Sequence, residues 1–191
     1  SKQQSGTKTD YSTIYWRPTI GKQQIRIVPS AYNPSNPFSE LKFYYGITNK
    51  VMLSPLNYGE KDPIALFAAK LREEYTKENF VMAKKLDPKT RYFVPVIVRG
   101  EEDKGVRLFE FSKTLYMELL SIADDEDYGD FTDIAAGHDF VVNATKVADR
   151  PGFSLSLRPK PKTSSLSEDA ATAKEWLAVQ PSLLEERFKY T

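Results

Sequence analysis

Hydrophobic and polar residues alternate along short stretches of this chain, which is the period of a half-buried β-strand. Ile25 and Ile27 alternate with polar neighbours within residues 23–29, and an aromatic-rich run follows at residues 38–47. Between them lies a segment rich in Asn, Pro and Ser, a composition typical of a turn. The pattern therefore predicts two strands near the start of the folded part.

Two further stretches predict β-hairpins. Residues 91–99 and 106–111 are alternating or β-branched runs, and a segment bounded by Gly100 and Gly105 separates them. Residues 140–147 and 153–157 flank the turn signal Arg150-Pro151-Gly152 in the same way. Strand runs joined by such short breaks are typical of hairpins.

Apolar residues at helical spacing predict four helices. Asp62-Pro63 is typical of an N-cap followed by proline, and the apolar stripe behind it predicts a helix over residues 62–77. Ser112 is a second cap candidate, ahead of Leu115 and Leu119. Two short helices are expected at residues 168–179 and 182–189, after a Pro/Ser/Lys linker at residues 160–165.

The order of elements predicts a mainly β fold with accessory helices. Five or six short strands interrupted by a helix suit a small closed barrel, while a sandwich or an α+β sheet also fits. We divide the chain into a flexible N-terminal segment at residues 1–14, a core at 15–165 with a helical insert at about 50–85, and a C-terminal helical segment at 166–191.

Composition restricts the class of protein. The chain has 191 residues and no cysteine, so disulfides and thiolate metal sites are excluded and a reducing compartment is expected. It has no apolar run near the roughly 20 residues that span a bilayer, so no membrane association is expected.

Charge is uneven along the chain although its net value is only +1. Residues 84–113 carry eight basic and five acidic side chains, and residues 146–162 carry five basic and one acidic. The stretch between them is acidic: Asp124, Asp125, Glu126, Asp127, Asp130, Asp133 and Asp139. The pattern predicts one positive and one negative face, although scattered surface charge would give the same counts.

Aromatic and cationic residues interleave along the first predicted hairpin. Arg107, Phe109, Phe111 and Lys113 would share one strand face, which is too charged for a core and too aromatic for ordinary exposure. Such a face suits nucleic acid, because bases stack on rings and phosphates meet cations. A plain amphipathic sheet is the alternative interpretation.

Other candidate sites are weaker. His138 is the only histidine and stands beside Asp139 at a strand start, a position more often structural than catalytic. The acidic stretch lacks the spacing of a calcium loop, and the chain has no glycine-rich phosphate loop. We therefore predict no enzyme, no cofactor and no metal; a nuclease using Asp124, Asp125 and Asp127 is the last-ranked alternative.

Several short motifs in order resemble a known family. They lie at residues 21–30, 37–38, 89–93, 94–98, 106–115 and 140–153. Over residues 15–165 the chain resembles the core of the single-stranded DNA-binding (gene-32, helix-destabilising) protein family of T-even-type phages. Each motif is short, but their order and spacing make the resemblance specific.

The resemblance implies an OB-fold, a five-stranded β-barrel, that binds single-stranded DNA with little sequence preference. It places Tyr92, Phe109 and Phe153 at base-stacking positions and matches Arg26 to a family strand arginine of unfixed role. Lys89, Arg91 and Lys113 would follow the phosphates. With Tyr44, Arg107 and Phe111 these residues form the predicted DNA-binding set.

The resemblance also implies a biological setting. The expected role is protection of single strands during phage replication, recombination and repair, in the cytoplasm of the infected bacterial host. The expected partners are the phage replication and recombination proteins, with the chain itself largely monomeric. An RNA-binding or translational-regulatory module and a protein-interaction adaptor are the alternatives.

Three family features are changed or missing. Well-known members carry a zinc site of one histidine and three cysteines, whereas the approximate equivalents here are Tyr45, Ser54, Asp62 and Ala65. The family's basic N-terminal arm supports cooperative self-association and its acidic tail recruits partners. Residues 1–10 hold two lysines and the last helix has mixed charge, so we expect weakly cooperative or non-cooperative binding.

Overall fold

The structure is a computed structural model that describes residues 13–45, 47 and 52–182. Most of the predicted flexible segment at residues 1–14 and most of the predicted helix at 182–189 lie outside the described residues. Among the described residues, no helix is long and apolar enough to cross a bilayer.

The described part of the chain contains one strand system and several helices. The strands are β1 (Tyr15–Trp16), β2 (Gly21–Ile27), β3 (Ser39–Tyr44), β4 (Met52–Leu53), β5 (Lys89–Val98), β6 (Arg107–Phe111), β7 (Asp139–Lys146) and β8 (Phe153–Pro159). The α-helices are α1 (Pro63–Glu73), α2 (Lys77–Lys85), α3 (Lys113–Ala123) and α4 (Ala170–Ala178). Single 3-10 turns form at Pro55–Tyr58 and Glu102–Lys104. The predicted mainly β class with accessory helices is confirmed.

The strands join in one mixed sheet with the order β1-β6-β5-β2-β7-β8, and β3 pairs with β4 and β5. Strand β2 is antiparallel to both β5 and β7, and β7 is antiparallel to β8. The β7–β8 hairpin is the one that the Arg150-Pro151-Gly152 turn predicts. The parallel pairing of β1 with β6 was not predicted, because a two-residue strand has no periodicity of its own.

The described residues fall into two compact units. The first unit contains residues 13–38, 93–110 and 114–182, and the second contains residues 39–92 and 111–113. In the first unit, β2 and β7 turn Ile25, Phe140 and Val142 into the core. Residues 93–98 of β5 are all buried, the uniform pattern of a strand covered on both faces.

Two helices form in the second unit where the sequence predicted one over residues 62–77. Helix α1 starts where expected, with the Asp62 carboxylate capping the N–H groups of Ile64 and Ala65. It ends at Glu73 because Tyr75 adopts a left-handed backbone (φ 50°) that a helix cannot continue through. Thr76 then caps α2. The single-helix prediction was wrong at this break.

Candidate nucleic-acid interface

The tip of the β7–β8 hairpin carries an exposed ring beside cations in the first unit. Lys146 and Phe153 are direct partners across the two strands. They lie beyond the end of the core, so Lys146 is exposed and the Phe153 ring is 50% exposed. Arg150 in the connecting turn is exposed as well. The turn is built by Asp149 (φ 65°) and Gly152 (φ 102°), both with positive φ angles.

The outer sheet face of the first unit, opposite to the face that carries Lys146 and Phe153, is also basic. We define it by two rows that cross β2, β7 and β8: Lys22–Asn143–Ser156 and Gln24–Val141–Arg158. Every charged side chain in these rows is basic, and Lys160 Nζ donates to Gln24 Oε1 at 3.3 Å. Amide, hydroxyl and cationic groups in register can donate to phosphate oxygens.

The second unit presents its own ring and cation. Lys89 Nζ lies 5.9 Å from the centroid of the Tyr45 ring, within the range of a cation–π contact, and Tyr45 is 37% exposed. Arg91 is two residues further along β5, so it emerges on the same face as Lys89, and the side chain between them points the other way. This face combines a π-surface with two positive charges.

Tyr92 and Phe111, two of the predicted DNA-binding residues, are interior residues of the second unit. Both are buried, and their rings are stacked at 6.5 Å with an interplanar angle of 17°. The prediction that they lie on an open surface was wrong, because their rings pack together inside the unit. Their contact with DNA stays a prediction.

Arg107 and Phe109 are buried in the first unit. The Phe109 ring is 1% exposed and meets Trp16 edge to face at 5.0 Å, because β1 pairs alongside β6 and brings Trp16 onto it. Arg107 Nη2 donates to Glu101 Oε2 at 2.8 Å. Lys113 is exposed but opens α3, so it does not continue the strand face. The predicted open row of alternating rings and cations was therefore wrong.

Arg26 is the hub of a buried polar cluster. It is fully buried, and its Nη1 donates to Asp139 Oδ1 at 3.0 Å and to Ser164 Oγ at 2.8 Å. Its Nη2 donates to the carbonyls of Asp133 and Ser164 at 2.9 and 2.7 Å. Burial lowers the pKa of Arg26, and the bond to Asp139 opposes that shift. The prediction of an accessible strand arginine was wrong, because these partners occupy its guanidinium.

Tyr44 belongs to a second buried cluster, not to an open surface. Its hydroxyl donates to Asp62 Oδ2 at 2.7 Å, and Ser54 Oγ donates to the same oxygen at 2.5 Å. Asp62 Oδ1 accepts the N–H groups of Ile64 and Ala65. Burial alone would raise the pKa of Asp62, but these hydrogen bonds outweigh it and hold the pKa below its ordinary value of 3.8. The accessible position predicted for Tyr44 was wrong, and Tyr45 is the outward member of the pair.

The residues near the family's zinc positions do not fit a zinc tetrad. Both oxygens of Asp62 already accept hydrogen bonds, Ala65 has no ligand atom, and Tyr45 faces outward beside Lys89. Across the described ranges, no group of three or more histidine or acidic side chains could hold a metal ion. Hydrogen bonding to one carboxylate organises this part of the second unit.

The acidic stretch is used for local structure. Asp125, Asp130 and Asp133 each accept backbone N–H groups two or three residues ahead, which stabilises tight turns. Hydrogen bonds from the Ala136 and Ala135 amides lower the pKa of Asp133. His138 is buried, with Nδ1 2.7 Å from the Lys160 carbonyl and its ring edge-on to Tyr128. These contacts give both features structural roles.

The predicted DNA-binding residues thus divide into two groups. Lys89, Arg91, Lys113 and Phe153 have accessible side chains, whereas Arg26, Tyr44, Tyr92, Arg107, Phe109 and Phe111 are buried. The structure adds candidates that sequence reasoning missed: Lys22, Tyr45, Lys146 and Arg158. Strand parity could not have found Tyr45, because Phe43, two residues before it, is fully buried like Tyr44.

Similarity to a known family covers most of the chain. Residues 20–185 match the family model described as gp32 DNA binding protein like. No curated protein matches the chain.

Proposed function

We propose that this chain, which belongs to the gp32 DNA-binding-protein-like family, binds single-stranded DNA by stacking bases on exposed rings set among cations. The family is a DNA-binding, non-enzymatic class of proteins. We infer the preference for single strands, and binding through base stacking, from the accessible side chains of each unit.

The exposed Phe153 ring opposite Lys146 carries the proposal. A ring that is 50% exposed offers a flat apolar face to a ligand, and Lys146 directly across the strand pair adds a cation beside it. An unpaired base has such a face, and a stacked base contributes about 1–3 kcal/mol by alanine substitution. Lys146 and Arg150 would neutralise the phosphates of the same strand, as both are exposed at the hairpin tip.

The second unit supports the same chemistry. The Lys89 ammonium lies over the Tyr45 ring at the surface, and Arg91 adds a second cation on the same strand face. A base on Tyr45 with its phosphates at Lys89 and Arg91 repeats the arrangement of ring and charge. Lys113, the accessible first residue of α3, is a further phosphate contact in this proposal.

The buried aromatic residues have a structural role in this proposal. Tyr92 on Phe111, and Phe109 on Trp16, fix the strands whose outward residues meet the DNA. Alanine at these sites would open cavities that cost about 3–5 kcal/mol, so such variants test stability before binding. Substitutions at Phe153 and Tyr45 separate the two effects.

The wider role is also part of the proposal. We infer an OB-type barrel, protection of single strands in phage replication, recombination and repair, and contacts with phage replication and recombination proteins in the cytoplasm of the infected bacterium. We infer a largely monomeric chain. The adjacent strands β6, β5, β2, β7 and β8 supply the five strands that such a barrel needs.

Fluorescence anisotropy with a labelled oligothymidylate at several salt concentrations tests the proposal. Binding should weaken steeply with salt, with a log–log slope of about −0.7 for each phosphate contact on a single strand. Lys89→Gln and Arg158→Gln, one in each unit, should each lower the steepness by about 0.7. Lys174→Gln is the matched control, because this exposed lysine lies on α4, which carries none of the proposed contacts, and the slope should stay unchanged.

Competitor strands separate the alternatives. Unlabelled duplex of equal length should compete poorly, because its bases are not free to stack. Stronger competition by a matched RNA would favour the RNA-binding alternative. An absence of salt-sensitive oligonucleotide binding would refute the proposal and leave the protein-interaction adaptor.

A further inference from the structure

A cavity of about 700 Å³ opens in the first unit, apart from the outer sheet face and the hairpin tip. Its apolar lining includes the buried side chains of Ile14, Val106 and Trp176, and Val179 and Pro181 add further apolar surface. The volume lies in the range of pockets that bind small ligands or anchor side chains. The indole of Trp176 gives it an aromatic wall.

Carboxylates surround this apolar floor. Glu102 and Asp103 come from the 3-10 turn between β5 and β6, and Glu175 comes from α4. The Glu102 carboxylate is oriented by the Gly100 N–H at 2.9 Å. Within the described part of the chain, the carboxylates of Asp103 and Glu175 have no hydrogen-bond or ion-pair partner.

The cation among the described lining residues, Lys104, is already compensated. Lys104 Nζ donates to Glu101 Oε1 at 2.8 Å, and the same Glu101 also receives Arg107. The cavity therefore has a negative rim above an apolar and aromatic floor. Such a site disfavours phosphate and favours a ligand that carries both positive charge and apolar surface.

We propose that this cavity binds a short basic peptide of a partner protein, with an apolar or long cationic side chain seated against Trp176. Lysine and arginine fit both parts of the site, because their aliphatic stems cover apolar surface while their heads reach carboxylates. The carboxylates come from two elements, which suits an extended chain with spaced cations. Since the rim repels nucleic acid, peptide and DNA bind at separate places.

Anisotropy of a fluorescein-labelled Lys-Leu-Arg-Leu-Lys peptide with blocked ends tests this inference on the whole chain. Binding should be saturable, and an equally labelled Glu-Leu-Glu-Leu-Glu peptide should not bind. Asp103→Asn with Glu175→Gln should weaken the lysine peptide by roughly tenfold. Asp124→Asn with Asp125→Asn removes the same charge from exposed positions outside the cavity and should change binding by less than about twofold.

A second readout uses tryptophan emission. The chain has two tryptophans, and Trp16→Phe leaves Trp176 as the only reporter. Its emission should shift on addition of the unlabelled peptide with the same midpoint as the anisotropy. If Trp16→Phe does not fold, the anisotropy titrations of the chains that keep both tryptophans test the inference without the emission readout.

The outcomes separate this inference from the proposed DNA binding. If saturating oligothymidylate leaves the peptide affinity unchanged, the two ligands bind at separate sites. If oligothymidylate competes with the peptide, the inference is overturned. Equal weakening by both pairs of substitutions, or no saturable binding, also overturns the inference. Sedimentation that shows self-association lost in the Asp103→Asn, Glu175→Gln chain would assign the cavity to a second copy and overturn it too. The oligonucleotide affinity measured without peptide is a separate readout, so failure of this inference and failure of the proposed function are distinguishable.

Discussion

Lys146 and Phe153 face each other directly across the β7–β8 hairpin, and both are exposed because the core ends before this residue pair. The inward face of the hairpin is built by Ala144 and Leu155, whose partnership lies two residues towards the core. A cation and a ring are thereby held side by side on rigid strands. Strand positions restrict side chains more than a loop would.

The first prediction concerns this ring. Phe153→Ala should weaken binding of oligothymidylate by about 1–3 kcal/mol, because one stacked base loses its partner. Phe67→Ala is the matched control, since Phe67 on α1 is 53% exposed against 50% for Phe153. Anisotropy titrations at one salt concentration measure both. Equal affinities for the wild-type chain and Phe153→Ala would remove the main support for stacking.

The second prediction concerns the Tyr45–Lys89 contact in the second unit. Tyr45→Ala and Lys89→Gln should each weaken binding, and the double variant should lose less than the sum, because the ring and the cation act on the same nucleotide. A double-mutant cycle on oligonucleotide affinity measures the coupling. Strict additivity would mean that the two side chains bind independently or not at all.

The third prediction concerns the Arg26–Asp139 ion pair. Asp139→Ala should lower the free energy of unfolding by about 3–5 kcal/mol, because the fully buried Arg26 guanidinium loses its carboxylate and Arg99 loses the same partner. Arg72→Ala breaks an ion pair whose side chains are 37% and 45% exposed, and should cost about 0–1 kcal/mol. Urea unfolding measures both, and similar losses would contradict the distinction.

The fourth prediction concerns pH and the Tyr44–Asp62 cluster. The pKa of Asp62 is held below its ordinary value of 3.8 in the folded chain, so its contribution is present above that pH and is lost as pH falls through the folded value. Asp62→Asn should therefore unfold with a weaker dependence on pH than the wild type below about pH 4. Urea midpoints across an acid series measure this. Parallel pH profiles would show that Asp62 does not contribute.

The same cluster has an alkaline counterpart. Burial and the bond to Asp62 raise the pKa of Tyr44 from 10.0 to about 12, so its contribution is present below pH 10 and is lost as pH rises through the folded value. Tyr44→Phe removes the titrating hydroxyl and should flatten that alkaline loss. Absorbance of tyrosinate during alkaline unfolding provides the measurement.

The fifth prediction concerns metal. The hydrogen bonds around Asp62 organise the second unit without zinc ligands, so treatment with a chelator should leave the melting temperature unchanged. Differential scanning calorimetry before and after chelation measures it. A large drop on chelation would contradict the metal-free interpretation.

Local signals in the sequence were sufficient for much of the fold. The alternation in residues 140–147 and 153–157, with its Pro-Gly turn, predicted the β7–β8 hairpin, and Asp62-Pro63 predicted the start of α1. These features depend on neighbours a few residues away. The break at Tyr75 was missed because a left-handed backbone is usually signalled by glycine, and this position holds a tyrosine.

Burial of the candidate site could not be predicted, because it depends on distant partners. Phe109 is covered since Trp16 arrives on a parallel strand, and Arg26 is enclosed by groups from Asp133 to Ser164. Nothing in the local pattern of Arg107, Phe109 and Phe111 distinguishes an open row from a covered one. Phe153 was predicted correctly as a surface ring, although its partner Lys146 was missed.

The separation of Arg26 and Ser164 along the chain determines when their contacts can form during translation. These residues are 138 positions apart, so a ribosome must make the polypeptide through Ser164 before the guanidinium receives its last hydrogen bonds. Contacts of such long sequence separation form late, and an incomplete chain leaves this charge exposed to water or to chaperones. The nascent protein thus completes its first unit only after the segment beyond β8 has left the ribosome.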